Sequence, residues 1–252
     1  MKKLRYVLPV VMSLIIVFAT VVVGVGSAYA WDELVCLASD FGDAFWTDAQ
    51  GFANTIDAYP GWNNFQTSHD PQATWWKEES SGGIDNQKAD YTELSLIQAH
   101  GPAVNVIGFG PDAGQAPPST VRLGYTSPDN FGYSIWSFII ECERFKDAWY
   151  QSYFQCLTGT HMLLGFKSTA TILSPDLREL ANRLTGTGGY AKQLVKWAYF
   201  DTYVCADGDH NNNQARIIAE NDSVASNDYI DSFDTQTPVD STKVVYTCYL
   251  GG

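Results

Sequence analysis

The chain has 252 residues, with 15 Lys and Arg against 28 Asp and Glu, for a formal net charge of −13. So acidic a surface argues against nucleic acid and anionic membranes as partners. The length suits one domain with a full hydrophobic core.

Lys2, Lys3 and Arg5 lead into an apolar run from about Val7 to Val25, followed by Gly26-Ser27-Ala28-Tyr29-Ala30. A basic start, an apolar middle and an A-x-A end make the pattern of a secretory signal peptide, with cleavage after Ala30. Left uncleaved, the run is long enough for a membrane anchor. Residues 1–30 are therefore set apart as leader or anchor, and residues 31–252 are expected to form a single α/β domain, secreted or held at the cell envelope. Cleavage removes three basic residues, leaving 15 − 3 = 12 against 28, a net charge of −16.

Leu34–Ala38 reads as a short apolar strand. Phe45, Trp46, Ala49, Phe52, Ala53 and Ile56 then recur at helical spacing, and Tyr59-Pro60-Gly61 stops the helix. Residues 61–90 lack a period and read as loop with room for one short strand. Leu94–Ala99 is a buried strand, residues 101–133 are loop-like, and Ile135–Ile140 is the next strong strand. Residues 143–155 are expected to be helical. Thr160–Phe166 is another strand, and Ser174-Pro175-Asp176 predicts a helix capped by the serine with proline at its first position. A helix over about Tyr190–Tyr203 and strands at Ala215–Ala219 and Val244–Cys248 complete the pattern. The strands are apolar throughout and alternate with helices, which predicts a mostly parallel sheet sandwiched between helices. Ligand sites in such sheets lie at the carboxyl ends of the strands.

Two strand ends carry reactive side chains. LSLIQAHG ends in His100 and Gly101, and IWSFIIEC ends in Glu141 and Cys142. An imidazole that handles protons near neutral pH and a nucleophilic thiol form the basic pairing for covalent acyl transfer. A glycine after the histidine lets backbone approach a substrate and offer an N–H to an oxyanion.

These two endings, together with the stretches SGGIDNQKADYTELSLIQAHG, VRLGYTSPDNFGYSIWSFIIECERF, GTHMLLGFKSTA and KWAYFDTY, resemble the caspase–gingipain–legumain–separase group of cysteine peptidases. The spacing of 142 − 100 = 42 is close to the caspase one. In place of the caspase QACRG signature stands IIECERF. The resemblance is better to uncharacterised exported bacterial and archaeal members of that superfamily. It implies a caspase-like three-layer α/β/α fold and a thioester acyl-enzyme. Cys142 would be the nucleophile, His100 the general acid/base, and the N–H groups of Gly101 and Cys142 the oxyanion donors. Glu141 would help to shape the site. The implied partner is a protein or peptide substrate, and no cofactor is called for. The alternative is a catalytically inactive exported binding or structural protein that retains the fold.

Other features are weighed against plainer roles. His161 starts its strand at the wrong end for catalysis and reads as structural, and His69 reads as a loop residue. The five cysteines, Cys36, Cys142, Cys156, Cys205 and Cys248, leave at least one thiol without an intrachain partner. Asp207, Asp209 and Asn211 alternate like ligands of a calcium loop, but Asn212 stands where such a loop needs glycine and Ile218 where it needs glutamate. Trp75-Trp76 reads as core packing rather than a sugar platform, and Asn221-Asp222-Ser223 is a glycosylation sequon.

Overall fold

The computed structural model of the chain describes residues 31–37, 43–68, 72–101, 104–108, 114–124, 133–205, 213–232 and 242–249. Residues from Trp31 onward make one compact unit. In chain order the strands are β1 (Trp31–Leu37), β2 (Trp62–Ser68), β3 (Leu94–Gln98), β4 (Ile107–Gly108), β5 (Gln115–Ala116), β6 (Trp136–Ile140), β7 (Met162–Phe166), β8 (Ala215–Ala219) and β9 (Val244–Cys248). The α-helices are α1 (Asp43–Asp57), α2 (Asp176–Thr185), α3 (Val195–Phe200) and α4 (Asp222–Asn227).

Seven strands form one sheet in the order β2-β1-β3-β6-β7-β8-β9, while β4 and β5 pair separately. The first five in that order are parallel. β8 and β9 add antiparallel strands at one side. The mixed α/β architecture with a mostly parallel sheet agrees with the apolar, non-alternating strands. The strand order reverses between β1 and β3, the place where open α/β sheets bind ligands beyond the carboxyl ends of their strands. β3 is the strand that carries His100 at its end.

Both faces of β3, β6, β7 and β8 are buried. Leu94, Leu96, Trp136, Phe138, Ile140, Met162, Leu164 and Phe166 pack with Ala49, Phe52, Ala53 and Ile56 of α1 and with Leu177, Leu180 and Leu184 of α2. Each fully buried side chain of this kind is worth roughly 1.5–3 kcal/mol over its exposed form. On the other face Ile97, Ile139, Leu163 and Ile218 meet Trp76, Phe145, Tyr153 and Cys156. Those partners sit on 3₁₀ turns and irregular segments, not on α-helices.

Several expected elements differ for identifiable reasons. Residues 143–155 form turns and then a 3₁₀ helix, Tyr150–Cys156. The backbone at the start of that stretch is held by other segments, with Glu143 N–H donating to Ser168 O and Phe145 N–H to Phe166 O, both at 2.8 Å, and Glu143 takes φ 53°, which an α-helix does not accommodate. The Phe145 carbonyl accepts from Arg216 Nη1 at 2.7 Å. The helix expected from Tyr190 begins only at Val195, because Gln193 and Val195 donate to the carbonyls of Arg183 and Asp228. It runs on into a single π-helical turn, Asp201–Cys205. α2 places Pro175, not Ser174, at the N-cap. Its orphan donors Leu177 N–H and Arg178 N–H are taken by the Asp48 carboxylate of α1, at 2.9 and 3.2 Å. A capping carboxylate from another helix is invisible to local sequence rules.

Candidate functional site

β3 and β6 are adjacent and pair in parallel from Leu94↔Trp136 to Gln98↔Ile140, an offset of 136 − 94 = 42. The same offset separates His100 from Cys142 (142 − 100 = 42), so the two residues follow matched positions on neighbouring strands. The ladder continues one step, with Ala99 N–H donating to Ile140 O at 3.2 Å. Gly101 lies against the other chain: a Cβ added there would fall 2.1 Å from the Cys142 carbonyl oxygen. Only glycine tolerates that approach. Neither the Gly101 nor the Cys142 backbone N–H is engaged in a hydrogen bond among the described residues.

His100 is exposed and Cys142 half-buried. The Cys142 thiol meets the segment after β7. Ala170 N–H points at Sγ from 3.4 Å, and Sγ lies 3.6 Å from Ala170 O. An N–H aimed at sulfur is a partner that a thiolate can accept. Asn213 braces that segment, accepting from Thr171 N–H at 2.7 Å and donating to Thr171 O at 2.8 Å. Glu143, next after the cysteine, has φ 53°, the one positive φ outside glycine among the described residues. Such backbone is sparsely populated and is held here by the Glu143 N–H···Ser168 O bond.

Glu141 does not face the opening. Its carboxylate is fully buried, accepts from Arg144 Nε at 2.9 Å, and accepts from Gly108 N–H at 3.1 Å. Arg144, itself buried, also donates to Val104 O at 3.1 Å and to the Tyr153 hydroxyl at 3.3 Å. Burial pushes the Glu141 carboxyl up to about 7, against the downward pull of Arg144 and of the Gly108 N–H. The pair ties the turn at Cys142 to the 104–108 segment that follows His100 and Gly101. The sequence signal for this was the E-x-x-R spacing, which on its own suggests only a surface ion pair.

His161 has the structural place expected of it. It is fully buried at the amino end of β7, and its Nδ1 lies 2.7 Å from Asp228 Oδ2, which also accepts from Trp136 Nε1 at 2.9 Å. Cys156 is buried against Pro118 O at 3.4 Å, and burial pushes its thiol up to about 12, so it packs rather than reacts. Trp76 is core and Trp75 lies under Lys88 Nζ at 4.9 Å. Asn221 of the sequon caps α4, accepting from Val224 N–H at 3.1 Å. His69 and the calcium-like Asp207, Asp209 and Asn211 lie outside the described residues. No helix among the described residues is long and apolar enough to cross a membrane.

The chain is similar to an uncharacterized protein of Archaeoglobus fulgidus, 44% identical over 234 residues that span 89% of this chain and 88% of the relative. No family model and no solved structure matches it.

Proposed function

The chain and the Archaeoglobus fulgidus protein belong to one family, and we propose that this chain is an exported cysteine peptidase with a caspase-like three-layer fold. The observation that carries the reading is the matched register. It sets a His-Gly and a Cys side by side at the carboxyl edge of adjacent parallel strands, next to the point where strand order reverses. The N–H groups of Gly101 and Cys142 at that edge, which make no hydrogen bond among the described residues, support an oxyanion role.

In this mechanism the Cys142 thiolate attacks the carbonyl carbon of a peptide bond. The tetrahedral oxyanion is held by the N–H groups of Gly101 and Cys142. His100 donates a proton to the leaving amine, and a thioester on Cys142 remains. Water, deprotonated by His100, then attacks the thioester, releasing the acid product and the free thiol. The Glu141–Arg144 pair positions both strand ends and touches no reacting atom.

The rival reading, an inactive binding protein of the same fold, draws on the contacts of Sγ with Ala170, which hold the thiol half-buried. A thiol-directed peptide electrophile separates the two. Stoichiometric labelling of Cys142 that is lost in His100→Ala supports the peptidase. Labelling no faster than that of a free thiol, and unchanged in His100→Ala, sinks it.

A further inference from the structure

We propose that the loop from Glu78 to Asn86 is a binding site for a divalent cation of the calcium class, held by Glu78 Oε1, Asp85 Oδ2 and Asn86 Oδ1. Asp85 is fully buried. Its Oδ1 accepts the Asn86 N–H at 3.0 Å, while its Oδ2 is buried with no hydrogen-bond partner among the described residues. Glu78 Oε1 and Asn86 Oδ1 are likewise buried atoms with no partner. Three orphaned oxygens within nine residues are unusual, since buried polar atoms almost always find partners. Two are carboxylate oxygens and one an amide oxygen, the hard donor set that calcium takes, with water completing its six to eight ligands.

The loop is built to close on itself. Gly83 N–H donates to Glu78 O at 2.9 Å and Asp85 N–H to Lys77 O at 3.3 Å. A side chain at Gly83 would place its Cβ 1.7 Å from Lys77 O. Charge around the oxygens is predominantly negative. Burial first, and then the Glu78 charge, push the Asp85 carboxyl up to about 7. Glu79 adds to that push, and Asp90, deeper in the fold, is raised first by its own burial and then by the Asp85 and Glu78 charges. Arg122 is the one opposing charge that acts on Glu78. Its own N–H groups go to Pro118 O, Val121 O and Gln155, so neither carboxylate is bonded by it. No three His, Cys, Asp or Glu side chains stand at metal-ligand spacing among the described residues. The set therefore depends on the Asn86 amide as its third donor.

The test uses the purified full chain, stripped with a chelator. Terbium is added as the probe, with excitation through tryptophan; Trp75 and Trp76 lie on the preceding turn. Saturable sensitised emission is expected, displaced by calcium, together with a rise in Tm on adding calcium. Asp85→Asn should weaken terbium and calcium at least tenfold. In chelator its Tm should equal or exceed that of wild type, because an orphaned carboxylate has been removed. Should that variant fail to fold, Asn86→Ala, at a half-exposed position, carries the same tenfold expectation. Emission that is absent, or unchanged in the variants, overturns the proposal. So does a Tm that responds to pH but not to millimolar calcium, which would make Asp85 simply a neutral acid.

Discussion

The two ends of the same parallel sheet treat the same chemistry in opposite ways. At the amino end, His161 is buried and locked to Asp228, which the Trp136 indole also holds. Asp90 there accepts the Gly124 N–H and is buried almost completely. His161 Nδ1, the Trp136 indole and the Asp90 carboxyl are all engaged inside the fold. At the carboxyl end, His100 is exposed, Cys142 is half-buried, and the N–H groups of Gly101 and Cys142 make no hydrogen bond among the described residues. A polar group buried inside the fold serves stability; one that reaches the surface at a strand end can meet a substrate.

That contrast can be broken by substitution at either end. Cys142→Ala should lower peptide hydrolysis by roughly a thousandfold or more while leaving the urea midpoint nearly unchanged. A large loss of stability with activity intact would reverse the roles of the two ends. Asp228→Ala strands both His161 and the Trp136 indole in the core, so unfolding by urea should show a loss of about 3 kcal/mol. The Cys142 labelling rate, measured on the folded fraction, should stay at the wild-type value.

Gly101→Ala tests the close approach itself. The new Cβ would collide with the Cys142 carbonyl and push the strand ends apart. A cost of about 1–2 kcal/mol in stability is expected, with hydrolysis reduced roughly tenfold to a hundredfold. The smallest effect concerns Asp90. Burial raises its carboxyl well above the ordinary value of 3.8. Between that value and the raised one, the unfolded chain ionises while the folded chain keeps its proton. The stability Asp90 contributes is therefore complete below about pH 4 and lost as pH rises through the folded value. Asp90→Asn should flatten this part of the stability–pH curve, shifting stability by under about 1 kcal/mol at pH 5. Urea titrations at pH 5 and pH 8 would show it, and parallel curves for the two proteins would refute the neutral-acid reading.

Much of this was legible in the residues alone. β3, β6, β7, β8 and β9 lie where apolar runs predict them, and the spacing of 42 between His100 and Cys142 equals the register offset between their strands. Local rules failed where distant groups took over the backbone. Residues 143–155 do not form one α-helix because Glu143 takes a positive φ and Arg216 holds the Phe145 carbonyl that a helix would use, and α2 is capped by Asp48 from far earlier in the chain. Length alone pointed to β2 only as one short strand, since its polar residues carry no period.

The sequence by itself determined where β3, β6, β7, β8 and β9 lie, that the sheet is mostly parallel, and that a histidine and a thiol follow two of the strands. Those properties follow from side-chain hydrophobicity and spacing, which are local. Only the tertiary structure decided which polar groups are satisfied. It buried Glu141 against Arg144, closed His161 onto Asp228, set Gly101 against Cys142, and left Asp85 with a bare oxygen. Burial and hydrogen-bond partnership depend on residues far apart in the chain, and no local pattern encodes them.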